Sequence, residues 1–240
     1  MNPEGKTALD DGSPICRDYS ATSDVLLVSW SGLKQNPHKM PGFSLRGTLA
    51  GIPVKKLYLR DLDKAWFLHG LRGITGNVEE TVAFLRDEFA AAGTRRVIFT
   101  GYSLGGFAAL LYGALCGAHE VHAISPQTFL GFWKRLRTGD RRWRRYVMPL
   151  HFSGTRKFHD LRPWLAKAPT HSQMHIHFAR DSRLDALHAA HVRGLPQVKI
   201  REHSEGSHRL VTAMRESGEL REIFERAATG ETLRRTGEKS

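Results

Sequence analysis

Apolar positions along this chain fall into short runs that alternate with helical stripes. The run Val25-Leu26-Leu27-Val28-Ser29-Trp30 follows Asp24 and stops at Ser31-Gly32, the pattern of a strand buried on both faces. Val54-Lys55-Lys56-Leu57-Tyr58-Leu59 is a second strand, ending at Arg60-Asp61. From Asn77 the period changes. Val78, Val82, Leu85 and Phe89 recur at helical spacing, Asn77 stands where an N-cap belongs, Glu79 and Glu80 fill the first turn, and Gly93 closes the helix. The β-branched run Val97-Ile98-Phe99-Thr100 predicts a strand, and the apolar stretch after it a buried helix. Further strands are predicted over 120–125, where Pro126 terminates the run, over 175–179 and over 198–201. A last helix is predicted over about 208–227.

Strands alternating with helices make this an α/β chain, a mostly parallel sheet with helices on both faces. Between about 127 and 172 the rhythm fails, and a stretch so long reads as an inserted helical cap. Residues 1–22 are expected to be a flexible N-terminal segment and 229–240 a flexible tail, leaving 23–228 as one domain.

A length of 240 residues and 40% hydrophobic content suit one large domain with a real core. Cys16 and Cys116 are the two cysteines, too few for a disulfide framework or a zinc site, so a reducing, cytoplasmic setting is expected. Met1-Asn2-Pro3-Glu4-Gly5-Lys6 lacks the basic start and apolar core of a signal peptide. No apolar run reaches membrane-spanning length. The net charge of +12 favours anionic partners such as nucleic acid, anionic lipid or acidic substrates.

The chemistry centres on Gly101-Tyr102-Ser103-Leu104-Gly105-Gly106, placed between a predicted strand and a predicted helix. This is the context of a G-x-S-x-G nucleophile elbow, in which a serine stands at the apex of a tight turn above the helix N-terminus. Large side chains two residues to either side would collide with the strand and helix packing. A serine needs a base, and the base an orienting acid. Asp181 and Asp185 follow the strand at 175–179, and His203 and His208 follow that at 198–201, so the chain order is Ser, Asp, His. No phosphate loop, H-E-x-x-H or Cys/His cluster at ligand spacing occurs, and neither a cofactor nor a metal is expected. His175 and His177 alternate with apolar residues and are expected to line one sheet face.

The elbow, the strand-end acid and the late histidine together resemble the α/β-hydrolase superfamily over roughly residues 24–227. A narrower resemblance, to bacterial hydrolase-like proteins found with surface-polysaccharide biosynthesis, rests on 101–106, Ser125-Pro126-Gln127-Thr128, Arg60-Asp61 with Trp66, and Asp185-Ala186-Leu187-His188. The resemblance implies the α/β-hydrolase fold, Ser103 as nucleophile and His208 as general base, with His203 the rival. Asp185 matches the family's acid followed by a helix; Asp181, nearer the strand end, is the alternative and would otherwise cap that helix. An oxyanion hole would use the Leu104 backbone N–H and a donor at Ser31 or Trp30 after the first strand. The implied reaction is cleavage of an ester or related acyl bond through an acyl-enzyme. An acyltransferase would use the same apparatus, and a non-catalytic binding or assembly protein in surface-polysaccharide production is the rival class.

The cap contains a run from Phe132 to Tyr146 in which basic residues interleave with tryptophans. A solvated face over buried aromatics, an anionic acyl substrate (small molecule, glycan or lipid) and peripheral membrane contact all fit it. Nucleic acid ranks last, since no nucleic-acid fold accompanies the patch.

Overall fold

The computed structural model describes residues 12–33 and 41–230; residues 1–11 of the expected N-terminal segment and 231–240 of the expected tail lie outside them. Seven strands form one sheet in the order β1-β3-β2-β4-β5-β6-β7. Strand β2 (Val25–Trp30) lies between β3 (Lys55–Leu59) and β4 (Arg96–Tyr102). Strands β5 (Glu120–Ile124), β6 (Gln173–Ala179) and β7 (Val198–His203) continue outward, all parallel. Within the stretch read as loosely ordered, Ile15–Asp18 forms β1, antiparallel to β3, with Ile15 opposite Leu59.

Each buried strand sends alternate side chains to opposite layers. Leu26, Val28, Trp30, Phe99 and Val121 meet α2 (Val78–Ala91), α3 (Leu104–Cys116), α6 (Arg162–Ala166) and α7 (Arg183–Val192) on one face. Val25, Leu27, Ile98 and Ile124 meet α1 (Arg46–Leu49), α8 (Leu210–Glu216) and α9 (Glu219–Thr229) on the other. Helix α3 is apolar all round and buried from Leu104 to Ala114, the pattern of a helix with no water-facing side. Asn77 caps α2 as expected, its side chain accepting from the Glu80 N–H at 2.8 Å.

One difference from the sequence pattern follows from backbone geometry. The single helix expected over 208–227 is a short 3-10 turn, α8 and α9, interrupted at Gly218 with φ 81°. Between β5 and β6, where an inserted helical cap is expected, the chain forms α4 (Phe132–Thr138) and α5 (Arg144–Leu150) within the bridge between Phe129 and Asp160, with Gly139 at φ 70° ending α4, and α6 follows the bridge.

Candidate active site

The turn from β4 into α3 is tight enough to leave Ser103 at φ 51°, a left-handed backbone that costs a non-glycine residue about 1–3 kcal/mol. Its packing explains the flanking glycines. A Cβ on Gly101 would collide with the Gly105 carbonyl, and one on Gly105 with the Trp30 carbonyl. Ser103 is 95% buried yet lines a cavity of about 700 Å³ with His208 and Tyr102.

His208 Nε2 lies 3.0 Å from Ser103 Oγ, and His208 Nδ1 lies 3.0 Å from Asp185 Oδ2. A carboxylate only accepts, so Nδ1 carries the proton and Nε2 presents its lone pair to the serine hydroxyl. Asp185 is buried, which alone would raise its pKa; the hydrogen bonds from His208 and Arg142 outweigh that and hold it below the usual carboxylate range. Asp181 lies elsewhere. Its carboxylate accepts the Ser207 N–H at 2.9 Å and so pins the loop that carries His208, where Gly206 and Ser207 both have positive φ. His203 bonds His177 through Nε2 at 3.2 Å, on the sheet face away from the serine's helix.

The two expected oxyanion donors differ in availability. The Leu104 N–H is the first of α3, among the groups a helix leaves without an internal partner. The Ser31 N–H is already given to the Leu59 carbonyl at 2.9 Å, because β2 extends its pairing one residue past Trp30. What Ser31 retains is its buried hydroxyl, which has no partner among the described residues, and the same holds for the Trp30 indole N–H.

A further donor comes from Gln127, whose Nε2 lies 3.3 Å from Ser103 Oγ. Its amide orientation is fixed by chemistry, since the Trp66 indole only donates and does so to Gln127 Oε1 at 3.1 Å. Trp66 in turn sits at φ 57° in a turn held by Asp61, which accepts the Asp63 and Phe67 N–H groups at 3.0 and 2.9 Å. Burial pushes the Asp61 carboxyl up to about 6, against the backbone donors that favour its charge.

Arg142 belongs to the cap's basic run, where a solvated or anion-contacting face is expected, but the structure turns it inward onto two buried acids. Its Nη1 donates to Asp185 Oδ1 at 2.6 Å and its Nη2 to Asp140 Oδ2 at 3.0 Å. Asp140 also faces His188 Nε2 at 3.0 Å, while the Thr128 N–H donates to His188 Nδ1 at 3.0 Å. Burial pushes the His188 ring down to about 4, although Asp140 draws it up. The lone acid in a run of arginines was the available signal, because such an acid in a buried setting must be paired.

A second polar row lies under α9. Glu120 Oε1 is 2.9 Å from His122 Nε2, His122 Nδ1 is 3.2 Å from His177 Nε2, and His177 Nδ1 is 3.2 Å from His203 Nε2. Starting from the Glu120 carboxylate, His122 and His177 each donate one way and accept the other, and His203 ends the row as a donor. Glu120, His122 and His175 bring ligand atoms within 4.8 Å of one another. Arg201 Nε, a donor only, lies 3.4 Å from His175 Nδ1, which assigns the ring proton to Nε2, and Arg96 pairs with Glu120 at 2.7 Å. Both features oppose a cation there.

The described part of the 700 Å³ cavity's lining includes Arg46, Arg209, Arg215 and Arg221, with Trp143 from the cap, and contains no carboxylate. Arg209 and Arg215 are exposed and form no ion pair among the described residues. Arg221 pairs with Glu225, one turn along α9.

A largely parallel sheet with helices on both faces and a serine elbow after a central strand is the α/β-hydrolase fold. No family model matches the sequence, and no curated protein sequence does. Among solved structures, the chain resembles the capsule O-acetyltransferase of Neisseria meningitidis serogroup A, with 12% identity, 86% of this chain and 89% of that chain covered, and a TM-score of 0.65. A mutant of that protein in complex with CoA aligns at 11% identity over 86% and 89% of the two chains, with a TM-score of 0.64. Mycobacterium tuberculosis MPT51 aligns at 13% identity over 90% of this chain and 93% of that chain, with a TM-score of 0.63. Est1E from Butyrivibrio proteoclasticus aligns at 13% identity over 87% and 89%, with a TM-score of 0.56. At such identities the likeness is one of fold.

Proposed function

We propose that this protein is an acyl hydrolase or acyltransferase that works through an acyl-enzyme on Ser103. The observation that carries the reading is the pair of contacts at His208, 3.0 Å to Ser103 Oγ and 3.0 Å to Asp185 Oδ2. His208 Nε2 takes the hydroxyl proton as Oγ attacks the acyl carbonyl, and Asp185 stabilises the imidazolium. The tetrahedral oxygen is met by the Leu104 N–H, with the Gln127 amide or the Ser31 hydroxyl as second donor. The imidazolium then protonates the departing alcohol or thiol. Water, or an acceptor hydroxyl in a transferase, gives its proton to the same nitrogen and releases the acyl group.

An anionic substrate fits the mouth best. Arg46, Arg209 and Arg215, with no lining carboxylate, form a field of one sign beside the serine, while Arg221 is paired with Glu225; guanidinium groups pair well with phosphate or carboxylate. The fold's likeness to a capsule O-acetyltransferase, solved also with CoA, supports a transferase acting on surface polysaccharide from a thioester donor.

Labelling with a fluorophosphonate tests the core of this reading. The wild type is expected to label at Ser103 and to lose labelling in Ser103→Ala and His208→Ala. A folded wild type that never labels would point to the non-catalytic assembly role instead. Hydrolysis separates from transfer by measuring acyl-CoA consumption with and without an alcohol acceptor.

A further inference from the structure

Among the described residues, the most exposed large apolar side chains gather on the cap: Phe152 is 80% exposed, Trp133 70%, Leu136 60% and Phe132 45%. Phe132, Trp133 and Leu136 project from α4, and Phe152 follows α5. Phe132, Trp133 and Phe152 share one shallow groove of about 430 Å³. Scattered single hydrophobics on a surface need no explanation, but a cluster of aromatics marks a contact site.

The surrounding charge says what kind of contact. Residues 131–157 hold nine Lys or Arg and one Asp. That acid, Asp140, is buried between Arg135 and Arg142, while Lys134 and Lys157 are paired with Asp160 and Glu79. Arg137, Arg141, Arg144 and Arg145 stay exposed with no carboxylate partner among the described residues. A folded protein partner would ordinarily present charges of both signs. Uniform positive charge around protruding rings instead complements a layer of phosphate headgroups over hydrocarbon.

We propose that the cap is a peripheral docking surface for an anionic phospholipid bilayer. Trp133 and Phe152 enter the boundary between headgroups and acyl chains, and the four arginines bind lipid phosphates. No helix among the described residues is long and apolar enough to cross a membrane. This assignment does not depend on the chemistry at Ser103.

Co-sedimentation of the full chain with vesicles tests it, comparing phosphatidylcholine alone with vesicles in which a third of the lipid is phosphatidylglycerol. Binding to the anionic vesicles should exceed that to neutral ones by about tenfold and weaken in high salt. It should fall by about tenfold both in Trp133→Ala/Phe152→Ala and in Arg141→Glu/Arg144→Glu. These side chains are exposed, so melting temperature and fluorophosphonate labelling should stay at wild-type levels in both variants. Absence of vesicle binding, equal binding to both lipids, or undiminished binding by either variant overturns the proposal. So does binding to a soluble anionic polysaccharide but not to vesicles. A wild-type dimer in sedimentation velocity that Trp133→Ala/Phe152→Ala dissolves would make the patch a protein interface and equally overturn it.

Discussion

Arg142 of the cap donates to Asp185 Oδ1 at 2.6 Å, and His208 Nδ1 faces both oxygens of the same carboxylate, 3.1 Å from Oδ1 and 3.0 Å from Oδ2. The guanidinium lies between two buried acids, Asp140 and Asp185, and satisfies both. Removing it would leave two charges desolvated with too few partners. We expect Arg142→Met to lower unfolding stability by about 3 kcal/mol in urea titrations and to slow fluorophosphonate labelling. Arg142→Met/Asp140→Asn should recover part of the stability. Wild-type stability in Arg142→Met would show that the cap's grip on Asp185 carries no weight.

Gln127 offers a side-chain donor at the serine, held by Trp66. If it contributes to charge stabilisation, Gln127→Ala should lower the turnover of an ester substrate by about 10²-fold, with little change in substrate KM. Trp66→Phe keeps the ring but frees the amide, and a smaller loss in the same direction is expected. Unaltered turnover in Gln127→Ala would leave the oxyanion to Leu104 and Ser31.

The two candidate acids separate cleanly by substitution. Asp185→Asn should cost about 10⁴-fold in labelling rate, because the imidazole tautomer is no longer held. Asp181→Asn keeps an oxygen for the Ser207 N–H and should retain most of the rate. The opposite ranking would reassign the acid.

Acid sensitivity should come from the buried histidine row. Burial pushes His175 down to about 3, with the neighbouring His122 adding to the effect. In the unfolded chain the same ring protonates near its ordinary value of about 6.5. Its contribution to stability is therefore present above about 6.5 and lost as pH falls from there toward 3, where the unfolded state binds the extra proton. His175→Gln should reduce the slope of unfolding free energy against pH below about 6 by up to about 1.4 kcal/mol per unit. An unchanged slope in urea titrations from pH 7.5 to 5 would exclude this ring as the source.

How legible this molecule is in its sequence depends on how local the determinant is. The elbow was readable because strand, turn and helix occupy one continuous stretch, and the glycines that clear the Gly105 and Trp30 carbonyls lie inside it. Asp185 and His208 are picked out by strand-end positions, as is Asp181; that Asp185 faces His208 and Asp181 faces the Ser207 N–H is loop geometry that no sequence pattern carries. Arg142 was hidden because its partner lies 43 residues away on another element. Strand β1 was hidden too, since Ile15-Cys16-Arg17-Asp18 has no periodicity and becomes a strand only by pairing with β3. Which donor Ser31 keeps free follows from how far β2 pairs with β3, and no local pattern in the sequence carries that.

The clamp between Arg142 and Asp185 also ties the cap to the residues around the serine. A segment that supplies the counter-ion for a buried carboxylate cannot swing away like a door without stranding that charge. In the proposed reaction, substrate would meet Ser103 in the cavity that Arg46, Arg209 and Arg215 line, with the cap's Trp143 beside it.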